Sequence, residues 1–335
     1  MKHLLTKFIV ALLLLQVSAA VYSADTYILT SPPRETLEDG KKQYAPIAEY
    51  LSKVTGQTFT YAHPGDWLSY TKNMKEDYYD VILDGPHFIS WRVKMIEHTP
   101  VVRFSGSLVF MVFVGKDDTA ENIDDLTGNL ICGLAPPNMA TLSVQAEFTN
   151  PMRQPLILEV TDFKSGYKDM LAGKCRGAIL PVGVYKRMNK EGKIDEKAKS
   201  VFRSKPIPQQ GFSVSKRITP ELQNQINTAL MSEDGHAATA AVRKRFGGNK
   251  ELMLTNREEY QGYYRFLRDF WGFEVPETEV VLEVEPEPAK EVSKVAEPAV
   301  AKSETVATPK TDPEKKPAKE SAGNSRKWSS MQSPG

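Results

Sequence analysis

Neither basic nor acidic residues are in excess in this 335-residue chain, whose 43 Lys and Arg stand against 42 Asp and Glu. Without a basic surplus, neither nucleic acid nor an anionic membrane surface is indicated as the main partner. Histidine is scarce, with five residues scattered along the chain. No His-Glu-x-x-His segment, Gly-x-Ser-x-Gly elbow or phosphate loop occurs, so the common signatures of metal-assisted hydrolysis, serine acyl transfer and nucleotide hydrolysis are absent. Cysteine is limited to Cys132 and Cys175, and no spacing of His or Cys completes a metal-ligand set. The expectation is a non-enzyme without metal or cofactor. Beyond the amino terminus, no apolar run reaches the roughly 20 residues that a membrane-crossing helix needs.

What is present begins with a targeting pattern. Lys2 and Lys7 precede the apolar run Phe8 to Leu15, and small residues follow at Ser18, Ala19, Ala20, Ser23 and Ala24. This is the layout of a cleavable secretory signal over residues 1–24, with a mature start at Val21 or Asp25. The apolar run is shorter than a bilayer span, which favours cleavage over a retained anchor. No Cys lies nearby, so lipid attachment is not expected. Loss of Lys2 and Lys7 leaves 41 basic residues against 42 acidic ones, and the segment predicts an exported protein.

Composition changes near Pro276. Residues 274–335 are dominated by Pro, Glu, Lys, Ala and Val. Such a segment lacks the long aliphatic and aromatic side chains that offset backbone ordering, so a disordered tail with polyproline character is expected. It would reach about 190 Å as polyproline II or about 40 Å as a coil. Trp328 is its one candidate anchor, and its mixed charges name no partner.

The remaining stretch, Asp25 to Phe273, alternates strand and helix. Tyr27 to Ser31, Thr58 to Ala62 and Val81 to Leu83 read as strands, separated by helices at Lys41 to Val54 and Trp67 to Lys75. This βαβαβ order predicts a parallel α/β lobe. Asp80 to Phe88, DVILDGPHF, is the most informative segment. Its apolar run suits a central strand, and Gly85-Pro86 stops it and starts a helix at the carboxyl edge, where open α/β sheets bind small molecules. Ser107 to Gly115 reads as one long strand crossing to a second lobe. That lobe repeats the alternation, with strands at Asn129 to Leu134, Pro155 to Val160 and Ala178 to Leu180, and helices at Asn138 to Phe148, Phe163 to Ala172 and Val182 to Asn189. Phe212 to Ser215 reads as the return strand. A final helix, Arg257 to Trp271, is expected to pack on the first lobe. The expected organisation is a first lobe at 25–110, a second lobe at 111–211 and a return to the first at 212–273.

Several of these segments together carry a family resemblance. They are Tyr44-Ala45-Pro46 with Tyr50-Leu51-Ser52 and Thr55-Gly56, then Asp80 to Pro86, Leu126-Thr127-Gly128, Leu171 to Ala178, and Ser204 to Pro208. In this order, from Tyr27 to about Phe246, the chain resembles the phosphate/phosphite/phosphonate-binding family of periplasmic substrate-binding proteins of ABC transporters. The resemblance implies the type II two-lobed α/β fold, each lobe a mainly parallel sheet flanked by helices. It also implies a monomer in the periplasm that holds a small oxyanion between its lobes for an ABC permease. In that fold Cys132 and Cys175 fall in one lobe on neighbouring strands, and in an exported protein they read as a disulfide. Metal binding and a free redox pair are the weaker alternatives, since the spacing suits neither.

The expected ligand-binding residues follow from the fold. Arg34, after the first strand, offers a forked contact to an oxyanion, with plain solvation of a loop arginine as the competing role. Tyr44 stands at the start of the first helix, where family members contact ligand, although core packing is the competing role. Asp84 and His87 flank the strand end, with backbone hydrogen bonding as the alternative for His87 and with Arg34 available to balance Asp84. Trp67 is a candidate cleft wall or a packing residue. In the second lobe the Ser/Thr/Gly-rich anion turn of many family members corresponds to Ala135 to Thr141. There Asn138, Met139 and Thr141, with Ser143, are the available side chains beside the helix amides. Pro181 stands where an acidic residue would bind an aminophosphonate amine, which disfavours that ligand. Two functions are consistent with this pattern: solute capture for an ABC importer, and a periplasmic sensor or envelope interaction protein read by a membrane partner, with the tail as spacer.

Overall fold

The computed structural model describes residues 25–273; the signal segment expected at 1–24 and the tail expected at 274–335, with Trp328, lie outside the described residues. The chain begins with β1 (Thr26–Thr30), α1 (Leu37–Thr55), β2 (Thr58–Tyr61), α2 (Trp67–Lys75), β3 (Val81–Asp84), α3 (Pro86–Met95) and β4 (Thr99–Phe104). It continues with β5 (Ser107–Leu108), β6 (Phe110–Gly115), β7 (Leu130–Gly133), α4 (Met139–Gln145), β8 (Leu156–Glu159), α5 (Phe163–Leu171), β9 (Gly177–Pro181), α6 (Val182–Met188) and β10 (Ala198–Arg203). It ends with β11 (Ile207–Pro208), β12 (Gly211–Val214), α7 (Pro220–Met231), α8 (Glu233–Ala238), α9 (Ala240–Val242), β13 (Leu252–Leu254) and α10 (Arg265–Trp271).

Local signals set the first elements. Thr36 caps α1 by accepting the Asp39 N–H, Glu38 and Asp39 lie in its first turn, and Gly56 ends it at φ 71°. Tyr44, Ile47, Ala48 and Leu51 recur at helical spacing and are buried against the first sheet. All four residues of β3 are buried, as a central strand covered on both faces requires.

The first sheet has the order β13-β4-β12-β3-β1-β2 and the second β10-β6-β9-β7-β8. β1 pairs in parallel with β2 and β3, and β7 with β8 and β9. Each sheet also has an antiparallel half: β12 lies between β3 and β4, and β6 between β9 and β10. These antiparallel strands flank the two places where the chain crosses between the sheets, which is why the parallel pattern of the βα units does not extend over either whole sheet. The result is the two-lobed α/β architecture of type II periplasmic binding proteins.

Two expected elements are divided. Ser107 to Gly115 is two strands, because the Val109 carbonyl accepts from Val182 N–H at 2.8 Å and the Phe110 N–H donates to Ser204 Oγ at 3.0 Å. β5 therefore pairs only with β11, as a short ribbon, while β6 enters the second sheet. The expected helix at 257–271 is a 3₁₀ turn at Glu258–Tyr260 followed by α10, broken around Gly262, which sits at φ 81°. Leu267 packs in the first lobe beside Tyr70, Phe88 and Trp91, whereas Tyr263 and Phe266 lie against the second-lobe core of Met139, Val144 and Phe148. The carboxyl-terminal segment thus contacts both lobes, beyond the first-lobe packing expected from sequence. Among the described residues no helix is long and apolar enough to cross a membrane.

The disulfide is present between Cys132 of β7 and Cys175 just before β9, with Cα atoms 5.8 Å apart. It staples two adjacent strands of the second sheet across 43 residues of sequence.

Candidate functional site

The site starts at the carboxyl end of β3. Asp84, Gly85 and Pro86 turn the strand into α3, with Gly85 as N-cap and Pro86 in the first turn. Asp84 is fully buried. Its Oδ1 accepts from Gly85 N–H at 2.7 Å and from Arg34 Nη2 at 3.3 Å. Its Oδ2 accepts from Arg92 Nη1 at 2.6 Å and from the Tyr70 hydroxyl. Arg92, itself buried, also donates to Tyr70. Burial raises the Tyr70 hydroxyl well above its usual range despite the opposing Arg92 charge, so Tyr70 is a neutral donor. Burial works against the Arg92 charge as well, but Tyr70 and Asp84 outweigh it and keep the guanidinium above its ordinary value.

Arg34 follows Pro32-Pro33 and lies over the Phe246 ring, 5.5 Å from its centroid. Arg245 lies over the same ring at 5.2 Å and pairs with Glu35 at 3.0 Å. Tyr44 is fully buried behind this layer, with its hydroxyl 3.4 Å from Glu35 and its ring stacked on Tyr61. Burial, then the Glu35 charge, pushes the Tyr44 hydroxyl up to about 12. Arg34 thus keeps one guanidinium edge on Asp84, while Nη1 is sealed from solvent without a protein partner.

His87, in the first turn of α3, is 2% exposed and spans the two lobes. Its Nε2 lies 2.9 Å from the carbonyl oxygen of Pro137, in the loop before α4. A carbonyl only accepts, so Nε2 carries the proton. Burial lowers the His87 pKa to about 4, against the pull of Asp84, and the ring is neutral near pH 7. Its Nδ1 has no partner. A Cβ on Gly85 would lie 2.8 Å from His87 Cε1, 3.0 Å from Nδ1 and 3.9 Å from Arg34 Nη2. The absence of a side chain at Gly85 therefore allows the imidazole and the guanidinium to border the same backbone.

Opposite, Asn138 caps α4 by accepting the Ala140 N–H at 3.0 Å. Thr141 Oγ1 donates to the Leu134 carbonyl at 2.6 Å, Met139 is buried in the second-lobe core, and Ser143 is buried. The local backbone thus engages Asn138 Oδ1 and the Thr141 hydroxyl proton. Pro181 ends β9 at the same sheet edge as Gly133 of β7 and caps α6 without a side-chain hydrogen bond. Trp67 stacks on Phe88 in the first-lobe core. Of the residues singled out from sequence, Arg34, Asp84 and His87 therefore form one cluster. Tyr44 backs it through Glu35, and Asn138, Met139 and Thr141 stand across from it.

Sequence reasoning missed Arg92, Tyr70, Glu35, Arg245 and Phe246. A signal for Arg92 was present: it is a lone cation in the otherwise buried run Phe88-Ile89-Ser90-Trp91, following an acidic strand end. Among the described residues no group of three His, Cys, Asp or Glu is placed to hold a metal ion. A separate groove of about 850 Å³ lies between Gln145–Gln154 and Gln261–Phe270 and includes none of the clustered residues.

Comparison with known proteins gives a consistent picture. A family model described as the periplasmic substrate-binding protein of ABC phosphonate transporters matches residues 29–260. No curated protein sequence matches the chain. Among solved structures, a Prochlorococcus marinus protein in complex with methylphosphonate aligns with a TM-score of 0.56 at 8% identity, over 75% of this chain and 100% of that one. A Xanthomonas citri protein bound to ATP aligns with a TM-score of 0.57 at 12% identity, over 73% and 97%. A binding-protein component of an ABC phosphonate transporter from Pseudomonas aeruginosa aligns with a TM-score of 0.51 at 11% identity, over 71% and 84%. At these identities the structures share the fold.

Proposed function

Since the chain belongs to the family of periplasmic substrate-binding proteins of ABC phosphonate transporters, we propose that it captures a small phosphate- or phosphonate-type oxyanion between its lobes and presents it to an ABC permease in the periplasm. The observation that carries this reading is the unpartnered Nη1 of Arg34, a guanidinium whose Nη2 is held by Asp84 at the carboxyl edge of the first sheet and which shares the Gly85 backbone with His87, the residue that bridges to Pro137. A guanidinium fixed by one carboxylate and free on another nitrogen suits an oxyanion, and ligand touching both lobes stabilises the closed form. Arg34, His87 and Gly85 are its first-lobe residues in this reading, with the Ala135–Thr141 loop opposite.

The test is thermal denaturation of the intact protein against phosphate, phosphite, methylphosphonate, sulfate, carboxylates and small amines. A ligand at 100 times its Kd adds about 2.7 kcal/mol of stability. The expected result is a rise in Tm with a phosphate- or phosphonate-type anion that disappears in Arg34→Ala. A panel without any shift, or a shift unchanged by Arg34→Ala, refutes capture at this site.

The composition of residues 274–335 favours a second output, in which a membrane sensor or envelope partner reads the closed form. Removal of Glu277–Gly335 would leave ligand affinity unchanged in both cases and impair output only in the second.

A further inference from the structure

Two buried nitrogens of opposite hydrogen-bonding character belong to side chains that border Gly85, the Arg34 guanidinium through its Nη2 and the His87 ring. Arg34 Nη1 is a cationic donor and His87 Nδ1, on a ring whose proton is committed to Nε2, is a lone-pair acceptor. Neither has a protein partner, and a buried polar atom left unpaired is destabilising. A fully ionised oxyanion would satisfy the guanidinium but present only lone pairs to Nδ1. A ligand oxygen that still carries a proton satisfies both.

The charge balance points the same way. His87 is faced by Asp84 from β3, Arg34 from the loop after β1 and Arg92 from its own helix, with the Pro137 carbonyl opposite and the Phe88 ring 4.4 Å away. Asp84 offsets one of the two guanidinium charges, and Glu35 and Arg245 offset each other behind Arg34. The cluster is left with one positive charge, which matches a monoanion.

We propose that the closed cleft takes its ligand as a singly charged oxyacid, with an anionic oxygen on Arg34 Nη1 and an O–H donated to His87 Nδ1. The inference rests on the reading of this cleft as an oxyanion site and adds the protonation state that it selects. A phosphonate or phosphate monoanion fits. A sulfonate of the same shape and charge has no proton to give, and the site discriminates against it through an acceptor left unpaired, as sites built around a substrate hydroxyl do.

The experiment is calorimetric titration of the intact protein with methylphosphonate and with methanesulfonate from pH 6 to pH 9, above the range where His87 titrates. The expected result is a methylphosphonate Kd that is flat below the second ionisation of the ligand and rises tenfold per pH unit above it. Methanesulfonate is expected to bind roughly 10- to 100-fold more weakly. In the methylphosphonate complex, the ¹⁵N resonance of His87 Nδ1 should stay in the range of an unprotonated ring nitrogen, which locates the proton on the ligand. His87→Phe should close the gap between the two ligands, and the ligand comparison in the unaltered protein stands even if that variant does not fold. Equal affinities, or methylphosphonate binding that tightens above the second ionisation, would overturn the proton claim and leave oxyanion capture intact. Binding of neither probe would overturn both.

Discussion

His87 of the first lobe donates its Nε2 proton to the carbonyl of Pro137 in the second, 2.9 Å away and 50 residues along the chain. This contact joins the lobes and survives protonation, since an imidazolium also donates from Nε2; what acid opposes is the burial of a charged ring.

Burial lowers the His87 pKa to about 4, and burial also lowers that of His98. Between about pH 6.5 and pH 4 the unfolded chain binds the His87 proton and the folded chain does not, so stability falls as pH falls through this window. His87 alone would contribute roughly 3 kcal/mol across it. Urea denaturation at pH 7 and pH 4.5 should show the loss, and His87→Phe should show a smaller one, with His98 supplying part of the remainder. An identical loss in the variant would remove His87 from the explanation.

Arg92 is the buried partner of Asp84 and Tyr70. Arg92→Met keeps the apolar volume but leaves Asp84 with the more distant Arg34 as its one cationic partner. Breaking a buried ion pair in this way destabilises by about 3–5 kcal/mol. Chemical denaturation should report that loss, and the joint change Asp84→Asn with Arg92→Met should recover a large part of it.

Gly85→Ala adds one methyl where the His87 ring approaches to 2.8 Å. The backbone there is ordinary, at φ −78°, so the penalty is a collision rather than strain. The imidazole must move, and the Pro137 contact moves with it. Ligand affinity should fall at least tenfold while the far-ultraviolet spectrum stays unchanged; retained affinity would show that the ring is free to shift.

Cys132→Ala with Cys175→Ala removes a cross-link between β7 and the start of β9. A loop of 43 residues corresponds to about 4 kcal/mol in the chain-entropy model. Hydrogen exchange should quicken in β7, β8 and β9 more than in β1 and β3, and uniform quickening would argue that the two lobes unfold as one unit.

The sequence made β3 and its turn legible because an apolar run closed by Gly-Pro has few other placements. It also brought Arg34, Asp84 and His87 to one strand end, since the βαβ order fixes which loops share an edge. The Arg92 contact was hidden for a geometric reason: only with α3 lying beneath the edge of β3 does a residue eight positions after Asp84 fold back onto it. Residue type alone also leaves out the local hydrogen bonds of Asn138 and Thr141. Their oxygens are engaged by Ala140 N–H and the Leu134 carbonyl, a local demand that helix starts routinely make. At the other end of β3 the Asp80 carboxylate accepts from the Ile28 N–H and the Ser215 hydroxyl, partners that only the assembled sheet brings together.

The carboxyl-terminal segment places Tyr263 and Phe266 on one lobe and Leu267 on the other, in addition to the β5–β11 ribbon. Two strands side by side permit both bending and twisting between the bodies they join, whereas a third attachment away from them removes the twist. Such an attachment restricts how the lobes can separate, and a substitution at Phe266, which packs on the second-lobe core, is expected to change the rate at which a captured solute is let go.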